Sequence, residues 1–216
     1  MIKKNEITAL KINVKNQKLR SIYVDGKYVI SVSEGVLFQS DLKVGDRLTP
    51  EAVAALKAEE ETYQIIQYAY RLLSFRPRSV QEMRSRLLQK GWGEEQVAKV
   101  LSKLEGDGYL DDRDFALMFA QDRVKSKFLG PTGLKSELFR KGIDRELISE
   151  VVENIYAQYP PAEIIHALMQ KRGINPESIL DPKEKRRFIN QLKRKGFSWE
   201  AIESVVSKLR ISSSEL

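Results

Sequence analysis

Cysteine is absent from this 216-residue chain. That excludes disulfides, thiolate metal sites and a cysteine nucleophile, and it suits a cytoplasmic protein. Histidine occurs once, at His166, so a two-histidine metal site is excluded; the residue reads as part of a helix surface. No apolar run approaches the roughly 18 residues of a membrane span. The opening "MIKKNEITALKINV" lacks the apolar core and small-residue cleavage site of a secretory signal. The expectation is a cytoplasmic protein with no membrane partner and no metal.

Acidic side chains are the minority charge, 30 against 37 basic, for a net charge of +7. The excess sits at the two ends. Residues 1–58 carry 10 basic and 6 acidic groups, and residues 160–216 carry 11 and 7, whereas 59–110 and 111–159 are balanced within one charge. A basic excess points to a polyanionic partner or an acidic protein surface and says nothing of sequence specificity.

What is present is mostly helix. Residues 1–48 are the exception, a small β-rich module. In "SIYVDGKYVISV" Asp25-Gly26 separates two β-prone runs, a strong hairpin signal. "GVLFQSDLKVG" adds a short helix before Gly45. Thr49 caps, and Pro50 opens, a long amphipathic helix that ends at Arg76-Pro77. Ser79 and Glu82 have the spacing of a capping box. Further helices are expected near 94–106, 113–128, 132–141, 145–158, 162–172, 182–195 and 199–210, with "SSSEL" as a frayed tail.

Three phrases repeat: "LLQKGWGEEQVAKVLSKL" (87–104), "LFRKGIDRELISEVVENI" (138–155) and "LKRKGFSWEAIESVVSKL" (192–209). Aligned on Gly91, Gly142 and Gly196, a lysine precedes each glycine. Apolar residues recur six positions on (Val97, Ile148, Ile202), nine on (Val100, Val151, Val205) and thirteen on (Leu104, Ile155, Leu209). They also recur four before (Leu87, Leu138, Leu192) and eight before (Met83, Leu134, Phe188). These spacings mark the buried faces of two consecutive helices, and the glycine supplies a left-handed turn between them. A helix precedes each pair. The expected fold is therefore mainly α: three tandem three-helix repeats (49–110, 111–159, 160–210) forming a curved solenoid. A β-hairpin-containing module (1–48) precedes them and a disordered tail (211–216) follows. Solenoids of this kind present surfaces to long partners.

The polar residues supply the binding candidates. On a helix at 183–195, Lys183, Arg186, Arg187, Lys193 and Arg194 project into one outward arc of about 140° to 260° from Phe188. No acidic residue shares that arc; Glu184 sits beside the apolar stripe. Like charges repel at such spacing, so this face suits phosphate or carboxylate. Arg76 and Arg78, flanking Pro77, are expected to be exposed in a turn and to contact a partner. Arg84 falls within the apolar arc of its helix and is expected to pair with a carboxylate or a carbonyl. Lys125 and Lys127, beside Phe128, are further candidates. No catalytic constellation is legible. "GPTG" (130–133) lacks the Lys-Ser/Thr end of a phosphate loop. "DDRD" (111–114) is what helix capping and the helix dipole favour. The protein is expected to be no enzyme and to need no cofactor.

"AYRLLSFRPRSVQEMRSRLLQKG", "LEGDGYLDDRDFALMFAQDRV" and "GPTGLKSELFRKGI" resemble the consecutive signatures of the RecX family, bacterial regulators of the RecA recombinase. The resemblance runs from about Tyr63 to Leu209, and residues 7–48 look like the N-terminal extension of longer members. The third repeat departs from the first two by a longer loop, "GINPESILDP". The resemblance implies a non-enzyme that binds the RecA nucleoprotein filament in its groove. It implies inhibition of filament growth, ATPase, strand exchange and the SOS coprotease, and for some members single- or double-stranded DNA binding. The alternatives are a sequence-nonspecific nucleic-acid-binding repeat protein without a recombinase partner, and a scaffold for some other protein.

Overall fold

The structure, a computed structural model, describes residues 5–175 and 181–212, the side chains of 208–212 excepted. Three strands lead: β1 (Ile7–Ile12), β2 (Leu19–Val24) and β3 (Lys27–Ser33). Helices α1 (Glu34–Ser40), α2 (Pro50–Leu73), α3 (Val80–Gln89), α4 (Glu94–Gly106) and α5 (Asp112–Lys127) follow. Then come α6 (Pro131–Arg140), α7 (Arg145–Gln158), α8 (Pro161–Arg172), α9 (Pro182–Arg194) and α10 (Trp199–Ser212). The expected helices are all present. Helix α10 reaches Ser212, so residues 211 and 212 are helical; 213–216 lie outside the described residues, as does the middle of "GINPESILDP".

The chain forms two compact units. One is Met1–Arg76 with Arg86–Leu104; the other is Pro77–Ser85 with Glu105–Leu216. Helix α3 is thus divided between them.

In the first unit, Asp25 and Gly26 both take positive φ, 48° and 79°, which closes the tight β2–β3 turn. Strand β1 pairs antiparallel with β2, giving the order β1-β2-β3. Ile7, Ile22, Ile30 and Val32 face Val36 of α1 and Leu56 of α2 in the core. Thr49 Oγ1 accepts the Ala52 N–H at 3.2 Å, as a cap should. Buried Glu60 on α2 is satisfied by the Ser33 N–H (2.6 Å) and hydroxyl (2.8 Å), fastening the start of α1 to α2.

In the second unit, α5 to α10 share one apolar core. Asp111 caps α5 by accepting from the N–H groups of Arg113 (2.7 Å) and Asp114 (3.0 Å), as read from "DDRD". Asp112 accepts the Val80 N–H at 2.8 Å and so holds the start of α3. Burial pushes its carboxyl up, against the pull of that hydrogen bond.

The repeat appears as expected. Gly91, Gly142 and Gly196 all have positive φ: 100°, 78° and 85°. The residues four and eight before them, and six and nine after them, are buried in all three copies. Leu104 and Ile155 are buried at the thirteenth position, whereas the side chain of Leu209 lies outside the described residues. In the second and third copies the residue after the glycine donates back to the leucine of the preceding helix: Ile143 to Leu138 (3.3 Å) and Phe197 to Leu192 (3.2 Å). That is a Schellman closure with its accompanying apolar contact.

Each of these corners seats the start of an earlier helix. Ser79 Oγ donates to the Lys141 carbonyl at 2.6 Å, and a Cβ on Gly142 would lie 2.4 Å from Gln81 Cβ. At the next corner, the Gly130 and Thr132 N–H groups donate to the carbonyls of Lys195 (2.8 Å) and Gly196 (3.1 Å). A Cβ on Gly196 would lie 2.0 Å from the Gly133 nitrogen. "GPTG" is therefore a backbone-on-backbone joint between α6 and the corner after α9.

Candidate functional site

Lys183, Arg186, Arg187, Lys193 and Arg194 are all exposed on α9, while Phe188 and Leu192 are buried on its other side. Asp181 caps the helix by accepting from the Glu184 N–H at 3.1 Å. Glu184 pairs with Arg187 at 2.9 Å, so one of the five cations has a neighbouring counter-charge. Lys193 stands 5.1 Å from the ring centre of half-exposed Trp199. No ion pair engages Lys183, Arg186 or Arg194 among the described residues. A groove of about 950 Å³ runs beside this face, lined by Arg172, Ile174, Arg187, Asn190, Lys193 and Arg194.

The sequence reading missed a second cluster here. Lys127 ends α5, Lys171 and Arg172 end α8, and Lys195 follows α9. The Lys195 ammonium donates to the Lys127 carbonyl. Its pKa is lowered, first by burial and then by Arg172, Lys127 and Lys171. Four cations thus crowd one corner. Only the basic residue at the end of each helix hinted at them, and that is the ordinary preference of a helix C-terminus. Gln191 lies among these residues: its Oε1 accepts from Arg172 at 2.9 Å, and its buried Nε2 has no hydrogen-bond partner among the described residues.

The other candidates divide. Arg76 is exposed, in the first unit. Arg78 corrects the expectation of exposure: it is 9% exposed and pairs with Glu82 at 2.8 Å. Glu82 also receives Lys141 at 3.4 Å. Arg78 is therefore part of the anchoring of α3. The Ser79 hydroxyl does accept the Glu82 N–H (3.1 Å), the expected forward half of the capping box. Arg84 is exposed on α3. Lys125 is exposed, 5.3 Å from the Tyr159 ring centre. Lys127 is exposed but pairs with Glu137 at 3.4 Å. His166 is exposed on α8. Among the described residues, no group of three or more His, Asp or Glu is placed to hold a metal ion, and no helix is long and apolar enough to cross a membrane.

Comparison with known proteins gives the family. Models described as the regulatory protein RecX N-terminal domain, RecX first three-helix domain and RecX second three-helix domain match residues 5–49, 66–104 and 111–152. The regulatory protein RecX of Bacillus licheniformis is 32% identical over 204 residues, spanning 94% of this chain and 76% of that protein. The chain belongs to the RecX family. The RecX of Bacillus subtilis is 29% identical over 210 residues, 97% of this chain and 79% of its own. A crystal structure of regulatory protein RecX matches with TM-score 0.73 over 94% of this chain and 98% of that one, at 23% identity, which bears on the fold. RecX from Lactobacillus salivarius matches with TM-score 0.59 over 71% of this chain.

Proposed function

We propose that this RecX-family protein binds the RecA recombinase in its nucleoprotein filament and restrains it. Filament growth, ATPase, strand exchange and SOS coprotease activity fall as a result. The protein acts in the cytoplasm by binding alone, without a catalytic step or cofactor. The observation that carries the reading is the exposed cation face of α9, continued by Arg172 and Lys195. Cations held this close repel, and an acidic partner relieves them. Favouring one filament state requires tighter binding to that state than to its alternative.

The test is RecA ATPase on single-stranded DNA, with filament length read in parallel, with and without the protein. Inhibition is expected at equimolar ratio; no change would count against the reading. The variant carrying Arg186→Glu, Arg187→Glu, Lys193→Glu and Arg194→Glu should fold normally and lose the effect. Full activity in that variant would move the site elsewhere. DNA as the sole partner has its own signature. Five phosphates neutralised on a single strand give a log–log salt slope of roughly −3.5 without any recombinase present.

A further inference from the structure

The N-terminal sheet has two different faces. Ile22, Ile30 and Val32 turn toward α1 and α2. The register places Ala9, Tyr23 and Tyr28 side by side on the other face, with Lys11, Ser21 and Ser31 in the next row. Among the described residues of this unit, the helices α1 and α2 pack on the first face. Tyr28 is 57% exposed. Its hydroxyl meets Ser31 Oγ at 3.2 Å, which lays the ring along β3. Tyr23 meets it edge to face at 6.0 Å, with Lys11 5.3 Å above its ring. The polar floor beneath is satisfied and fixed. Asn13 donates to Ser21 (3.1 Å) and Ser31 (3.0 Å), and the two serine hydroxyls are 3.0 Å apart. Residues 5–33 carry five basic side chains and two acidic ones.

An exposed tyrosine ring, a partly buried second ring edge to face with it and a lysine over that second ring fit a ligand with flat apolar faces joined by negative charges. Single-stranded nucleic acid has that chemistry: bases stack on the rings while phosphates meet the ammonium groups. The serine hydroxyls are already engaged, so nothing on this face is built to read a 2′-hydroxyl. We propose that the outer face of the sheet is a stacking platform for single-stranded DNA. Tyr28 is the principal ring and Tyr23 the second. Lys11, with Lys15 and Lys18 from the β1–β2 turn, takes phosphates, and Lys11 exchanges its contact with Tyr23 for the incoming base and phosphate. This site lies in a different unit from α9 and does not rest on the recombinase reading.

The test uses the full chain, fluorescein-labelled oligo(dT) and no recombinase, read by anisotropy. Tyr28→Ala should weaken binding roughly 5- to 100-fold, and Tyr23→Ala by less. Tyr28→Phe keeps the ring and should bind within about twofold of the unaltered chain. Equal binding by Tyr28→Ala with an intact far-ultraviolet spectrum would overturn the proposal. So would a preference for oligo(rU) of about tenfold or more. If Tyr28→Ala disturbs the sheet, crosslinking of the unaltered chain to a bromodeoxyuridine oligonucleotide decides. Adducts on Tyr28 or Tyr23 uphold the platform; adducts confined to the helices overturn it.

Discussion

The second and third repeats share one plan and differ in charge at matching places. Five residues before the corner glycine stands Glu137 on α6, and at the same place on α9 stands Gln191. Glu137 gathers Arg123 (2.7 Å), Lys127 (3.4 Å) and Arg140 (4.0 Å). Gln191 bonds Arg172 but brings no charge, and Arg194, the counterpart of Arg140, stays exposed. The lysine before each glycine shows the same contrast. Lys141 reaches Glu82, whereas Lys195 reaches a backbone carbonyl amid three other cations. The apolar positions fix the three-helix unit. The polar positions between them are free to neutralise their cations internally, as in the second repeat, or to leave them without a carboxylate, as around Lys195 in the third.

That contrast can be broken or sharpened by substitution. The largest effect is expected at the corners. Gly196→Ala drives a Cβ into the Gly133 backbone and adds positive-φ strain, for a loss of about 3–5 kcal/mol in urea unfolding. Gly91 also has a positive φ but open space around it, so Gly91→Ala should lose only about 1–2 kcal/mol. Equal losses at the two sites would show that the joint at Gly196 contributes nothing.

A smaller effect is expected at Glu137. Burial pushes its carboxyl up, but Arg123 and Lys127 outweigh burial and hold it below its usual value. With the folded pKa depressed, the stabilisation is complete above the ordinary carboxylate pKa and is lost as pH falls through the folded value. Glu137→Gln should cost about 1–2 kcal/mol at neutral pH and make thermal stability flatter across the acid range. Thermal melts from pH 3 to 7 check this, and an unchanged acid arm would remove Glu137 from the account.

The smallest effect is expected at Gln191. Gln191→Glu copies the second repeat into the third by giving Arg172 a carboxylate. The salt slope for a polyanion such as heparin should become shallower by about 1, with stability unchanged or slightly raised. An unaltered slope would separate this corner from the binding surface.

Much of the fold was legible because the signals are local. Asp25-Gly26, Thr49-Pro50, "DDRD" and the three corner glycines each dictate backbone geometry within a few residues, and each acts as read. The site was legible only in part. The exposed arc on α9 follows from helical period. The burial of Arg78 does not, because it depends on Glu82, on Lys141 across 59 residues of chain, and on the packing of α3. The convergence of Lys127, Lys171, Arg172 and Lys195 was hidden for the same reason: three helix ends meet at one point. "GPTG" lacks the sequence of a phosphate loop, but its use as a joint is visible only with the corner at Gly196 in view.

The sequence by itself determined where helices begin and end, which faces are buried, and that one unit recurs three times. Those properties depend on spacing and on the torsional freedom of single residues. Only the tertiary structure decided which cations find a carboxylate and which stay without one, because a charge is neutralised by whatever lies within a few ångströms of it, regardless of distance along the chain.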